Sequence, residues 1–240
     1  MTLKIGIIFG QDHAQNQSAT ASFARLKRRA GIMGKPIAYG ADYSVYVRIV
    51  RLVLEEKGID YELVPLDIFA ADGIPGWYFD HQPFGRIPAF EHDGFRLYET
   101  SAITRYVDEA FDGPALQPVE ARPRARMNQI IGMLDAYAYR AMVWDVAVER
   151  LEKMAPDEAL IANGLRQSRT ALRALSSLKA EGPWLLGAEL TLADLHAAPI
   201  IGYFVKVAEG QNLLAEFADI QAWWARIAQR PSFSGTKKAR

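Results

Sequence analysis

The chain has 240 residues, half of them hydrophobic, with 28 basic and 28 acidic side chains and no cysteine. That length suits one large domain or two modest ones, each with its own core, and the zero formal net charge argues against nucleic acid as the main partner. Lack of cysteine excludes disulfides, thiolate metal sites and a cysteine nucleophile, so any thiol must arrive with a ligand.

The four histidines, His13, His81, His92 and His196, have none of the close spacings that hold a metal, and no metal is expected. No apolar run reaches the ~18 residues of a membrane span. Lys4 to Phe9 is too short for a secretory core and is followed by Gln11, Asp12 and His13, so a cytoplasmic location with no membrane partner is expected.

Residues 1–34 differ from the rest. They carry Ser18, Thr20 and Ser22, the basic cluster Arg25, Lys27, Arg28 and Arg29, and a single acid, Asp12. Transit peptides share that composition, but the fold signals begin only at Pro36, and an N-terminal extension is the simpler expectation. Pro36 to Tyr39 reads as a strand ending at Gly40. Val45 to Lys57 places Val47, Val50 and Leu54 at helical spacing, with Gly58 as the C-terminal cap. Tyr61 to Leu66 alternates as a strand, and a Gly, Pro and Asp-rich loop runs from Ala70 to Gly76. Ala89 to Glu91 and Phe95 to Tyr98 form a hairpin through Asp93-Gly94. Thr100 to Phe111 is the next helix.

Helix-linked strands are parallel and hairpin strands antiparallel, so residues 35–112 predict a mixed sheet of about four strands with helices packed on it. Asp112-Gly113-Pro114, with Pro118 and Pro123 after it, reads as a linker over 113–122. Residues 123–240 read as all helical: Ala125 to Glu152, Asp157 to Leu178, Leu192 to Val207 and Ile220 to Gln229, the last closed by Arg230-Pro231.

Three segments carry candidate chemistry. Ser44 stands at the start of the first helix, where backbone N–H groups and the helix dipole favour negative charge. Its hydroxyl can donate to a bound thiolate and lower the thiol pKa, or serve only as an N-cap. In Pro83 to Phe90, an extended residue precedes Pro88, and a cis bond there would turn the Ile87 backbone outward to pair with a short peptide ligand. Thr100 reads as the N-cap of the following helix, its hydroxyl and the nearby N–H groups facing a carboxylate, while Glu99 can pair with an ammonium. Both can equally be simple caps.

Gln82-Pro83-Phe84-Gly85-Arg86-Ile87-Pro88-Ala89-Phe90, followed by Leu97-Tyr98-Glu99-Thr100-Ser101-Ala102-Ile103-Thr104-Arg105-Tyr106, resembles the glutathione-binding segment of glutathione transferases. The phi-like, serine-type cytosolic members are the nearest in pattern. Leu190-Thr191-Leu192-Ala193-Asp194 resembles the family's capping box, and Trp223 to Pro231 its closing helix. The resemblance implies a thioredoxin-like N-terminal domain followed by an all-helical C-terminal domain, with glutathione as co-substrate. It implies Ser44 on the glutathione sulfur, a cis Pro88, the Ile87 backbone on the cysteinyl part, and Glu99 and Thr100 on the γ-glutamyl end. Tyr43 is the rival to Ser44.

Arg86 stands where phi-like proteins often carry Gln, and Gly73-Ile74-Pro75 replaces their basic or imidazole pair, so the resemblance leaves the holder of the glycine carboxylate open, with Arg86 as a candidate. The electrophile is expected between the domains, against Tyr43, Tyr46, Tyr139 and Trp144, with Tyr137 and Met142 on the same helix. The implied activity is conjugation of the glutathione thiolate to hydrophobic electrophiles, in a homodimer. Ether cleavage, isomerisation or peroxide reduction on the same fold, or non-catalytic ligand binding, are the alternatives.

Overall fold

The computed structural model describes residues 34–236; the expected N-terminal extension, up to residue 33, lies outside the described residues. Strand β1 (Ile37–Gly40) leads into helix α1 (Val45–Glu56), which returns to β2 (Glu62–Pro65). A 3-10 turn over Gly76–Asp80 precedes β3 (Ala89–His92), β4 (Phe95–Tyr98) and α2 (Thr100–Ala110). The sheet order is β2-β1-β3-β4. Strand β1 runs parallel to β2 and antiparallel to β3, and β3 pairs antiparallel with β4. The mixed four-stranded sheet expected from the connections is therefore formed. Asp93 (φ 51°) and Gly94 (φ 77°) both take the left-handed conformation that a two-residue type I′ hairpin requires. Gly58, at φ 67°, ends α1 as expected from its place after the last helical turn.

The rest is helical. Helix α3 (Ala121–Met133) continues without a break into π-helical stretches over Leu134–Ala138 and Arg140–Val148, and then into α4 (Glu149–Glu152). After these come α5 (Glu158–Leu178), α6 (Leu192–Phe204), α7 (Ala208–Ala215), α8 (Ala218–Ile227) and α9 (Pro231–Gly235). Three sequence expectations are corrected. Helix α3 starts at Ala121, not Ala125, because Pro123 falls in its first turn, where no intrahelical N–H bond is lost. Helix α7 was not anticipated; its eight residues are too short for a clear apolar period. Pro231 opens α9 rather than only ending the helix before it, proline's fixed φ suiting a first helical position.

One hydrophobic cluster runs from Ala38, Ile49 and Phe90 through Met127, Val146 and Leu172 to Ile200 and Trp223. Helix α1 is buried on most of its surface, with Val45, Val47, Ile49, Val50, Leu52, Val53 and Leu54 all inside. It packs on the sheet on one side and on α6 on the other. Its charged residues Arg48, Arg51, Glu55 and Glu56 keep to the remaining face, and each buried side chain contributes about 2 kcal/mol.

Polar contacts tie the same surfaces. Arg230 clamps Glu56 at 2.6 and 2.7 Å, Arg48 Nη2 donates to the Phe233 carbonyl at 2.7 Å, and Thr104 Oγ1 meets His196 Nε2 at 3.0 Å. Asp194 at the start of α6 is fully buried. It accepts from the Leu185 and Thr191 N–H groups, the Thr191 hydroxyl and Trp223 Nε1 at 2.8–3.0 Å. The capping box read from sequence is thus present and extends to the indole of α8.

Candidate functional site

The chain turns tightly from β1 into α1. A Cβ at Gly40 would lie 2.3 Å from Val47 Cγ2, so only glycine allows this approach. Ser44 occupies the N-cap with extended backbone, and its Oγ accepts from the Val47 N–H at 3.3 Å. The Ser44 hydroxyl proton is not used by that bond. The neighbouring Tyr43 hydroxyl donates to Asp67 Oδ1 at 2.6 Å. Burial, and then Asp67, push the Tyr43 pKa well above its usual range.

The loop into β3 is shaped from within. Gln82 Oε1 accepts from the Phe84 N–H at 2.7 Å, and the Tyr78 hydroxyl donates to the Arg86 carbonyl at 2.6 Å. The Ile87–Pro88 peptide is cis, as the resemblance implied. The Arg86 side chain is exposed at the cavity rim.

At α2 the N-cap is Glu99, not Thr100 as expected, and no side chain caps the helix. Thr100 is the first helical residue, because the Glu99 carbonyl already accepts from the Ala102 and Ile103 N–H groups at 2.9 and 3.0 Å. Glu99 takes φ 69° and ψ 110°, a costly conformation for a residue with a Cβ. The consequence is an α2 N-terminus open to the cavity, with Glu99, Thr100 and Ser101 all in its lining.

The opposite wall is the π-helical stretch. Asp135, Tyr139, Val143, Trp144 and Val148 line the cavity, with Glu152 of α4 beyond them. In an α-helix each step of four residues drifts by about 40° around the axis. The wider i→i+5 turn keeps steps of four to five on one face, so the whole stripe points one way. Trp144 Nε1 donates to the Tyr139 hydroxyl five residues back at 3.0 Å. The Tyr46 ring from α1 lies 4.5 Å from that of Tyr139, centroid to centroid. Tyr137, by contrast, is 68% exposed, and Met142 is buried in the core.

These walls enclose a cavity of about 600 Å³. The candidate site residues Ser44, Arg86, Ile87, Pro88, Glu99, Thr100, Tyr43, Tyr46, Tyr139 and Trp144 all line it. Asp135, Ser101, Phe69 and Tyr203 line it too and were not anticipated. Ser101 was legible as the neighbour of Thr100; the other three carry no sequence signal of their own. Burial pushes the Asp135 carboxyl up to about 6, against the opposing influence of the Tyr46 hydroxyl. Burial also raises Tyr46 and Tyr139, so the tyrosine hydroxyls in this cavity stay protonated at neutral pH. Among the described residues, no group of three or more His, Asp and Glu gathers to hold a metal, and no helix is long and apolar enough to cross a membrane.

Comparison with known proteins agrees with this geometry. Residues 39–115 match the glutathione S-transferase N-terminal domain model, and residues 134–231 match the C-terminal domain model. Glutathione S-transferase F13 of Arabidopsis thaliana is 30% identical over 201 residues, covering 81% of this chain and 91% of its own. The crystal structure of glutathione transferase F7 from Populus trichocarpa superposes with a TM-score of 0.75 at 29% identity, covering 84% of this chain and 97% of its own. The apo structure of glutathione S-transferase III does so at 0.73 and 31%, covering 85% and 95%. With both domain models matched in order on the fold and cavity described above, the chain belongs to the glutathione S-transferase family.

Proposed function

We propose that the protein joins the thiolate of glutathione to hydrophobic electrophiles, with Ser44 as the sulfur ligand. The observation that carries this reading is the state of the Ser44 hydroxyl. It caps α1 through a lone pair and keeps its proton for a bound sulfur, at a helix N-terminus that favours negative charge. Tyr43 is spent on Asp67. In the same reading the α2 N-terminus takes the γ-glutamyl carboxylate through its open N–H groups, Ile87 pairs with the cysteinyl backbone, and Arg86 takes the glycine carboxylate. The electrophile sits against Tyr46, Tyr139 and Trp144. Sulfur forms the new bond to carbon, and in a substitution the leaving group departs with the electron pair of the broken bond. The protein contributes a stabilised thiolate and proximity.

A Ser44→Ala variant assayed with a model aryl halide tests the assignment. Its kcat/KM is expected to fall about 100-fold, and the ascending limb of its pH profile to move up by about two units as the thiol returns toward 8.5. Full turnover with an unmoved profile would overturn it.

A soluble, cytoplasmic homodimer belongs to the same proposal. Phe84 is 69% exposed and packs edge-on against the half-exposed Tyr98, an apolar patch on the first domain of the kind that partner surfaces cover. Sizing in solution is expected to give twice the chain mass, and a Phe84→Ser variant to shift toward monomer.

A further inference from the structure

We infer that the electrophile carries an anionic group at the end remote from its reacting carbon, and that Arg48 receives that group in a second cavity adjoining Ser44. The inference rests on the conjugation reading above and deepens it by naming a substrate class.

The second cavity holds about 530 Å³. It lies between the start of α1, the end of α6, α8 and α9, and shares Tyr43, Ser44, Val45, Glu152 and Tyr203 with the first cavity. The two spaces therefore adjoin at the residue assigned to the sulfur. One wall is aromatic. The Trp224 and Phe233 rings meet edge-on with centroids 5.4 Å apart. A Cβ at Gly202 would lie 3.0 Å from each of them, so glycine lets both rings seat against α6. Pro199, Val205 and Ala228 extend an apolar lining that suits a hydrocarbon tail.

The cation in this cavity lacks a counter-ion. Arg48 stands one helical turn beyond Ser44, half-buried, with its guanidinium 3.8 Å from the Phe233 ring centroid. Its Nη2 donates to the Phe233 carbonyl at 2.7 Å and its Nε to Thr236 Oγ1 at 3.3 Å. These neutral acceptors take two of the five N–H donors of a guanidinium, and no carboxylate pairs with Arg48 among the described residues. Burial, and then the like charge of Arg51, press its pKa down to about 10.

The acids nearby are engaged elsewhere. Asp42 pairs with Arg51 at 2.6 Å, and Glu152 accepts from the Tyr203 hydroxyl at 3.0 Å. Lys206, with Nζ 4.0 Å from the Tyr203 ring centroid, adds a second positive charge to the lining. A carboxylate would give Arg48 its missing partner through charge-assisted bonds, about twice as strong as neutral ones. Because the two cavities adjoin at Ser44, one extended molecule can place its reacting carbon at the sulfur and its charged end at Arg48.

The test uses two probes that react alike and differ only at the far end: N-(4-fluoro-3-nitrobenzoyl)-6-aminohexanoate and its primary amide. In both, the glutathione sulfur bonds to the ring carbon, and fluoride leaves with the electron pair of the broken bond. Wild-type kcat/KM is expected to be about tenfold higher for the carboxylate, mostly through KM, and Arg48→Met to bring the ratio to about one. A merely structural clamp on α9 would, when lost, slow both probes alike and leave the ratio in place.

A second measurement needs no variant. The glutathione conjugates of the two probes are titrated calorimetrically into the wild-type protein, where the carboxylate conjugate is expected to bind about tenfold more tightly. Equal kcat/KM for the two probes, equal binding of the two conjugates, or an unchanged ratio in Arg48→Met would overturn the role of Arg48 while leaving the conjugation reading standing. If neither probe is turned over, a short aryl halide separates the cases. Turnover of the halide would overturn the tail site alone, and no turnover would bring down the conjugation reading and this inference with it.

Discussion

A serine hydroxyl has one proton and two lone pairs, so capping a helix and holding a sulfur do not compete at Ser44. Removing it should therefore have a structural cost separable from the catalytic one. Ser44→Ala is expected to lower unfolding free energy by about 1 kcal/mol through the lost cap, measured by urea titration without ligand. Glu99 shows the opposite trade. Its φ of 69° suits glycine better than glutamate, so Glu99→Gly is expected to hold or raise stability by up to about 1 kcal/mol while raising KM for glutathione. A variant that lost stability and kept its KM would contradict the view that the strain serves binding. His196 is fully buried, with Nδ1 unpartnered among the described residues. Burial, and then Arg105, lower its pKa to about 3. Between that value and the unfolded 6.5, the unfolded chain takes up a proton that the folded one refuses. Stability is thus intact above pH 6.5 and lost as pH falls below it, by about 1.4 kcal/mol per pH unit. His196→Gln, which can keep the Thr104 contact, should flatten that acid limb in pH-dependent unfolding.

Among the elements, the π-helical stretch is the one most tied to the site. Its stripe from Asp135 to Val148 meets the cavity because the turn is wide. Helix α5 packs closely behind it at Gly164, where a Cβ would lie 2.9 Å from Val146 Cγ2, 3.0 Å from Asp145 Cβ and 3.1 Å from the Ala141 carbonyl. Gly164→Val is expected to cost about 1–3 kcal/mol by overpacking. It should also raise KM for the electrophile more than for glutathione, since the displaced wall carries Tyr139 and Trp144; an equal effect on both would argue against a separate electrophile wall. The sequence reading put Tyr137, Tyr139, Met142 and Trp144 on one helix and named Tyr139 and Trp144 for the electrophile. The i→i+5 pairing gives that choice a physical reason: Tyr139 and Trp144 meet on the cavity face, while Tyr137 is exposed and Met142 lies in the core.

For the molecule as a whole, the joint between sheet and bundle decides whether the cavity exists. Its walls come from α1, the Pro88 loop and α2 on one side and from the helical half on the other, with one apolar cluster running behind both. The buried Asp194 holds part of that arrangement through four donors. Asp194→Ala would strand them, at about 1–3 kcal/mol for each buried group left unpaired. A loss of at least 3 kcal/mol in denaturant unfolding is expected, and a loss below 1 kcal/mol would contradict the network's role.

Local chemistry was enough for much of this protein. Alternation and helical spacing located the four strands and the first two helices, Asp93-Gly94 marked the hairpin, and Thr191 with Asp194 marked the start of α6. The long Gln82 to Tyr106 pattern marked the end of the cavity proposed to take glutathione, because backbone turns and caps depend on neighbours in sequence. Asp135, Phe69 and Tyr203 were not legible. Nothing near them in the chain distinguishes them, and they acquire a role only where the π-helical turn, the joint between the domains and burial bring distant segments to one cavity. Ser44 needed both kinds of information. Its place before a helix made it a cap, and the packing around it, with Tyr43 turned away to Asp67, leaves it the hydroxyl proposed here to meet the sulfur.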